Sequence, residues 1–233
     1  MQKGEDASDK ATPPATLSDI WNRMTVGIVC LTAGLTGLSS FVFLTVAIGT
    51  DYWYVIDVSN SRYNYGEDWE DLNSHSGLWR ICEGKNACIA LIDPFGEESQ
   101  NVPESQHHLL VMQKVFVILL PLSLVVLVLG GICGLVSSLA NGLYMLLFTG
   151  SYFLVGGALT LAGILVYIAY SKAAFAIAMR LYGHTLFDNV HIGFSWSMGL
   201  ACLSCVSEVI AGGLFLLAAK LAAVQHPEQS ATI

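Results

Sequence analysis

Cysteines are the residues of this sequence with the clearest chemical potential. Cys82 and Cys88 form a close pair in a polar stretch, and Cys202 and Cys205 form a Cys-x-x-Cys motif in an apolar one. Two such pairs could exchange a disulfide, which is the chemistry of a membrane thiol oxidoreductase. However, Cys202 lies about ten residues into its apolar run, roughly 15 Å deep at the helical rise per residue. We therefore expect Cys82 and Cys88 to be bonded to each other, and the oxidoreductase is a remote alternative.

A single carboxyl group, Glu208, interrupts the last apolar run, 192–219. A carboxylate at the centre of a membrane span costs about 2.5–3.5 kcal/mol on insertion scales, so it should face the helix bundle or a partner. Two interpretations stay open. Glu208 could contact a partner subunit or an ion path, or it could meet Ser, Thr or Tyr side chains of the other helices.

The remaining candidates predict packing rather than catalysis. Gly130 and Gly134 have the GxxxG spacing that lets helix backbones approach, within one bundle or between protomers. The histidines His75, His107 and His108 have no companions at metal-ligand spacing, so we expect no metal and no cofactor. No phosphate loop, zinc-protease motif or Gly-x-Ser-x-Gly elbow is present, so the sequence predicts no enzyme.

Long apolar runs place half of these residues in a membrane, namely the two glycines, the Cys-x-x-Cys pair and Glu208. The chain is 54% hydrophobic and only 12% charged, and roughly 20 apolar residues suffice to cross a bilayer as a helix. Four spans are predicted, at about 25–48, 115–139, 144–171 and 193–219. Asn141 and Gly142 give a helix stop and a tight turn, which makes the second and third spans antiparallel neighbours. The third helix is expected to continue past Ser171, because strong helix formers follow it.

The polar segments complete the organisation. We expect a disordered tail at 1–24, a four-span domain at 25–220 and a short tail at 221–233, with loops at 51–114 and 172–191. Counts of Lys and Arg do not settle the orientation, since the positive-inside rule weakens for loops longer than about 60 residues. A loop cysteine pair suits an oxidising compartment, so we place both loops outside the cell and both termini in the cytosol.

The first loop combines strand signals with negative charge. Aromatic and β-branched residues predict strands near 52–58, 78–82 and 87–92, with the last two forming a hairpin. The loop carries eleven acidic and four basic side chains. Many of the acids cluster at Glu67, Asp68, Glu70 and Asp71. Such a cluster is a solvated surface or, in a pore-forming protein, a field that favours cations.

The order of residues in this loop carries a family resemblance. Trp53, the tripeptide Gly77-Leu78-Trp79, Cys82 and Cys88 follow one another on a four-span chain. This pattern resembles the superfamily of claudins, peripheral myelin protein and calcium-channel gamma subunits. The runs SHSGLWRIC and IDPF are most similar to the branch of transmembrane protein 235 and transmembrane protein 114.

The resemblance implies a membrane α+β fold, in which a left-handed four-helix transmembrane bundle carries a small extracellular antiparallel β-sheet. The second loop would supply the last strand. We expect Trp53, Leu78 and Trp79 to anchor the sheet against the helix ends, with the ring N–H groups of the two tryptophans near the interface.

These features predict a plasma-membrane protein that acts through protein–protein interaction. It would work at cell junctions or as an auxiliary subunit of another membrane protein. Its expected partners are other membrane proteins or further copies of itself, laterally or between cells, together with the lipid bilayer and no nucleic acid. The alternative is a claudin that forms a paracellular cation pore or a barrier.

Overall fold

A computed structural model describes residues 17–57, 74–83, 87–91, 95–96, 104–140, 142–182 and 191–225. Its four helices are α1 (Leu17–Gly49), α2 (Glu104–Ala140), α3 (Leu143–Tyr182) and α4 (Trp196–Gln225). Each contains a segment long and apolar enough to cross a membrane: Arg23–Gly49, His107–Ser137, Leu143–Ile177 and Trp196–Val224. The prediction of four spans is confirmed.

The helices extend beyond the predicted spans. α1 begins at Leu17, so the prediction of a disordered tail up to residue 24 is wrong for residues 17–24, where Leu17, Ile20, Trp21 and Met24 have helical spacing. α2 begins at Glu104, inside the segment that we assigned to the first loop. α3 continues to Tyr182, as its helix formers indicated. α4 continues to Gln225, so the prediction of a tail from residue 221 is wrong for residues 221–225. A helix ends where its backbone hydrogen bonds stop, and the edge of the apolar run does not fix that point.

Small side chains set the packing of the bundle. α1 contacts α4 far more extensively than it contacts α2, and α2 contacts α3 extensively. Ala33 and Ala47 of α1 and Ala201 and Ala211 of α4 are fully buried. Such residues let helix backbones approach closely in a membrane, where hydrophobic exclusion from water no longer drives association.

Five short strands form one antiparallel sheet at one end of the bundle, which we call the sheet end. They are β1 (Tyr54–Asp57), β2 (Ser74–Ser76), β3 (Arg80–Glu83), β4 (Ala87–Ala90) and β5 (His191–Phe194). The spatial order is β4-β3-β2-β1-β5. β1 follows α1 in the chain and β5 precedes α4, and the two strands pair with each other, with Tyr54 opposite Phe194. The sheet is therefore attached to the bundle through two adjacent helices.

β1, β3 and β4 overlap the predicted strand segments. β5 is the last strand that the resemblance implied, supplied by the second loop. β2 was not predicted, because Ser-His-Ser carries neither alternation nor β-branched residues. Its pairing comes from its neighbours, since it lies between β1 and β3.

Candidate functional site

Two tryptophans join the sheet to the end of α1. The last four carbonyl groups of a helix have no partner within the helix. The indole nitrogen of Trp53 donates to the carbonyl of Ala47 at 2.7 Å, and that of Trp79 donates to the carbonyl of Ile48 at 2.9 Å. Both tryptophans thus satisfy carbonyls that the helix leaves open.

The same end of the bundle buries the apolar part of the signature. Trp53 is fully buried and Leu78 nearly so, in one cluster with Tyr167 of α3. The rings of Trp53 and Tyr167 are 4.8 Å apart between centroids. The sheet therefore shares a core with the helices, and its position relative to them is fixed by packing as well as by hydrogen bonds.

Gly77 is required by a close approach of two chain segments. A Cβ added at Gly77 would lie 2.6 Å from Cα of Asp51 and 2.7 Å from its carboxylate oxygen. The carboxylate of Asp51 in turn lies 2.6 Å from the guanidinium of Arg80. The short distance to backbone leaves no room for a side chain at position 77.

The predicted disulfide is present. Cys82 is bonded to Cys88, and the two residues face each other across β3 and β4 in the sheet register. The bond therefore holds the hairpin in register. Closing so short a loop stabilises the fold by about 2 kcal/mol in the chain-entropy model.

The membrane cysteines are separate from this bond. Cys202 and Cys205 are both free thiols on α4. The thiol of Cys205 lies 3.5 Å from the carbonyl of Gly157 on α3, within hydrogen-bond distance for sulfur. The structure does not bring the Cys-x-x-Cys motif to the loop pair.

Glu208 lies at the centre of a buried polar cluster. It is fully buried, and the hydroxyl groups of Ser40, Thr160 and Ser204 lie 3.2, 3.1 and 3.0 Å from its Oε1 atom. Ser40 belongs to α1 and Thr160 to α3, so the cluster links three helices. Hydroxyl donors satisfy the carboxyl oxygens inside the bundle.

The hydroxyl groups of this cluster also have backbone partners. Ser40 Oγ lies 3.2 Å from the carbonyl of Ser204, and Ser204 Oγ lies 2.9 Å from the carbonyl of Ser40. Thr160 Oγ1 lies 3.1 Å from the carbonyl of Gly156. The reciprocal contacts between Ser40 and Ser204 bridge α1 and α4.

The structure places Gly130 and Gly134 inside the bundle. A Cβ at Gly130 would meet Tyr152 and Phe153 of α3 at 3.5 Å, and one at Gly134 would meet Phe215 of α4 at 3.2 Å. Both glycines therefore serve contacts between helices of the same chain.

Residues 38–217 match the family described as PMP-22/EMP/MP20/Claudin tight junction. The chain belongs to this claudin family. The match includes the tryptophans, the disulfide and Glu208, and it spans more than half of the chain.

Individual relatives are calcium-channel subunits. The voltage-dependent calcium channel gamma-3 subunit of Homo sapiens is 30% identical over 158 residues, which cover 61% of this chain and 48% of that protein. The gamma-4 subunit of Homo sapiens is 31% identical over 159 residues, covering 61% and 47%. The chain spans about half the length of the curated relatives it matches.

Sequence reasoning missed an exposed apolar pair on this claudin-family sheet. Ile81 and Ile89 face each other in the register of β3 and β4, and they are 37% and 61% exposed. The neighbouring Cys82 is 3% exposed and lies on the opposite face of β3, because side chains alternate along a strand. The segment Arg80-Ile81-Cys82-Glu83 has no alternation of apolar and polar residues that would signal the exposed pair.

The histidines and acids have other surroundings. His75 stacks on Tyr52 with ring centroids 4.4 Å apart. In the described part of the chain, no group of three or more His, Cys, Asp and Glu residues is placed to hold a metal ion. The acidic cluster at Glu67, Asp68, Glu70 and Asp71 lies outside the described residues.

Burial raises the pKa of Tyr54 to about 12, so its phenol stays neutral at physiological pH.

Proposed function

We propose that this chain is an auxiliary subunit of another plasma-membrane protein and that it acts by lateral association. In this proposal the sheet is extracellular and both termini are cytosolic, because the disulfide between Cys82 and Cys88 requires an oxidising compartment. The chain would carry out no catalysed reaction. Within its family it would lie nearest to transmembrane protein 235 and transmembrane protein 114, on the runs quoted above.

The observation that carries the proposal is the exposed pair of Ile81 and Ile89 on a sheet that is fixed to the bundle. Apolar side chains exposed together on a folded surface mark contact sites when a partner can cover them. Trp53 and Trp79 hold this sheet to α1, so a partner bound to the hairpin would be held at a defined position relative to the spans.

The class of partner is suggested by the relatives. Both are named as subunits of voltage-dependent calcium channels, so we propose a channel subunit as the partner. The candidate residues within the spans already have contacts inside the chain. Glu208 has its hydrogen-bond donors within the bundle, and Gly130 and Gly134 face α3 and α4. This supports a partner contact through the sheet.

Affinity purification from plasma membranes tests the proposal. The full chain carries a tag and is isolated in mild detergent, and the co-purifying membrane proteins are identified and quantified. The double variant Ile81→Thr/Ile89→Thr keeps β-branched side chains and removes the apolar surface. We expect it to recover about tenfold less partner at equal surface expression, the effect of losing about 1.4 kcal/mol.

The matched control is Ile28→Thr, since Ile28 is also exposed but lies on α1 away from the sheet. Equal recovery of the partner by the double variant, the control and the unchanged chain would place the contact elsewhere.

The family description favours one second candidate, a paracellular cation pore or barrier at cell junctions. Expressed in an epithelial layer without other claudins, a pore or a barrier would form strands between cells, and the pore would raise cation conductance. Neutralising Glu67, Asp68, Glu70 and Asp71 would then lower the conductance. The auxiliary-subunit proposal predicts no strands and unchanged conductance.

A further inference from the structure

A groove opens between α1 and α2 within the membrane-spanning part of the bundle. It has a volume of about 560 Å³. Its floor is made by Phe153 of α3 and Phe215 of α4, whose rings stack with centroids 5.6 Å apart. Its rim consists of exposed leucines, isoleucine and valine: Leu31, Leu35, Leu38, Val128, Ile132 and Leu135.

Glycines make the walls of the groove flat. At Gly34 of α1 and Gly131 of α2, an added Cβ would have no atom from elsewhere in the described chain within 4 Å. At Gly37, by contrast, it would lie 2.7 Å from the ring of Phe153. Gly37 therefore lets the helix approach the floor, whereas Gly34 and Gly131 face open space.

The groove is short along the helix axis. The lining on α1 runs from Cys30 to Phe41, which is about 16 Å along the axis at 1.5 Å per residue. The groove therefore covers about one leaflet of a bilayer roughly 30 Å thick, whereas a helix that spans the bilayer would extend well beyond it.

We propose that this groove binds one sterol molecule. A sterol is a rigid, flat and almost wholly apolar lipid about as long as one leaflet, and the groove offers glycine walls and a stacked aromatic floor to such a plane. The lining contains no charged side chain, so a phospholipid headgroup would find no partner within it.

The position of the groove along the membrane normal suits the single hydroxyl of a sterol. The lining on α2 reaches Leu135, and the α2 span ends at Ser137. That end of the groove lies on the side away from the sheet, and α2 ends a few residues further on, at Ala140. We therefore expect it to lie near the membrane surface. A hydroxyl placed there would meet water and headgroups while the rings stay in the groove.

A photoreactive cholesterol with the diazirine on its ring system tests the proposal. The full chain is reconstituted in lipid nanodiscs with the probe, irradiated and mapped by peptide mass spectrometry. We expect adducts confined to 30–41 and 127–135 that natural cholesterol displaces and its mirror-image form does not.

Variants that fill the groove provide a second test of the sterol proposal. A Cβ added at either position meets nothing within 4 Å, so Gly34→Leu/Gly131→Leu directs two side chains into the open groove. We expect adducts to fall about tenfold and the rise in melting temperature caused by cholesterol to disappear. Gly27→Leu and Gly213→Leu are the controls, because these glycines also have open space but do not line the groove. They should behave like the unchanged chain.

Several results would overturn the inference. Adducts spread over the exposed leucines of all four helices would show ordinary contact with bulk lipid. Equal displacement by mirror-image cholesterol would exclude a shaped site, even if the filled variant failed to fold. Labelling of the groove by a photoreactive phosphatidylcholine that cholesterol does not displace would assign it to an acyl chain, and adducts between two chains would assign it to a second copy.

Discussion

The indole nitrogen of Trp79 lies 2.9 Å from the carbonyl oxygen of Ile48, 31 positions earlier in the chain. The donor belongs to the loop that carries the sheet, and the acceptor belongs to the last turn of α1. This hydrogen bond and its neighbour between Trp53 and Ala47 give the two signature tryptophans a physical role. They close the open end of a helix and attach a sheet to it.

Replacement of each tryptophan by phenylalanine should reveal this role. Trp79→Phe leaves the Ile48 carbonyl without its donor, but Trp79 is 43% exposed and water can replace part of the bond. We expect a loss of about 0.5–1.5 kcal/mol. Trp53→Phe should cost more, about 1–3 kcal/mol, because Trp53 is fully buried. Thermal unfolding in detergent measures both, and the reverse order would contradict the capping role.

A second pair of variants tests the close approach at Gly77. Gly77→Ala forces Cβ against the backbone of Asp51, and overpacking of this kind costs about 1–3 kcal/mol. We expect reduced surface expression and a lower melting temperature. Gly193→Ala is the control within the same sheet, since a Cβ there meets nothing within 4 Å. Equal behaviour of the two variants would show that the approach does not limit folding.

The third prediction concerns Glu208. Glu208→Gln keeps an oxygen for the hydroxyl groups of Ser40 and Ser204, and the three hydroxyls retain backbone acceptors. We therefore expect unchanged co-purification of the partner and a small change in stability. Glu208→Ala should destabilise by about 2–5 kcal/mol because it leaves a cavity.

Surface biotinylation, thermal unfolding and co-purification of the partner are compared for the two Glu208 variants. If Glu208→Gln lost the partner at normal stability and surface level, the carboxyl group would contact that partner after all.

The orientation in the membrane gives a fourth prediction. Epitope tags at Gln2 and Thr232 should be inaccessible to antibody on intact cells and accessible after permeabilisation. A tag inserted between Asn64 and Glu67 should be labelled on intact cells. Antibody binding to either terminus without permeabilisation would reverse the topology and place the disulfide in the cytosol.

The sequence predicted those features that depend on composition or on a short range of residues. Long apolar runs determine the four spans, and only Cys82 and Cys88 lie in a loop. The surroundings of Glu208 could not be predicted in detail, because Ser40 lies 168 positions away and several hydroxyl-bearing residues on each helix were candidates. The same limit applies to the acceptors of Trp53 and Trp79, which depend on where α1 ends.

Crosslinking from the exposed hairpin shows whether a partner in the same membrane binds the sheet. A photoreactive amino acid at position 89, in place of Ile89, is irradiated in intact cells, and the same amino acid at position 144, on an exposed site at the opposite end of the bundle, serves as the control. We predict a covalent adduct with a channel subunit of the same cell from position 89 and not from position 144. Adducts formed only with a second copy of the chain on an adjacent cell, or no adduct from position 89, would contradict it.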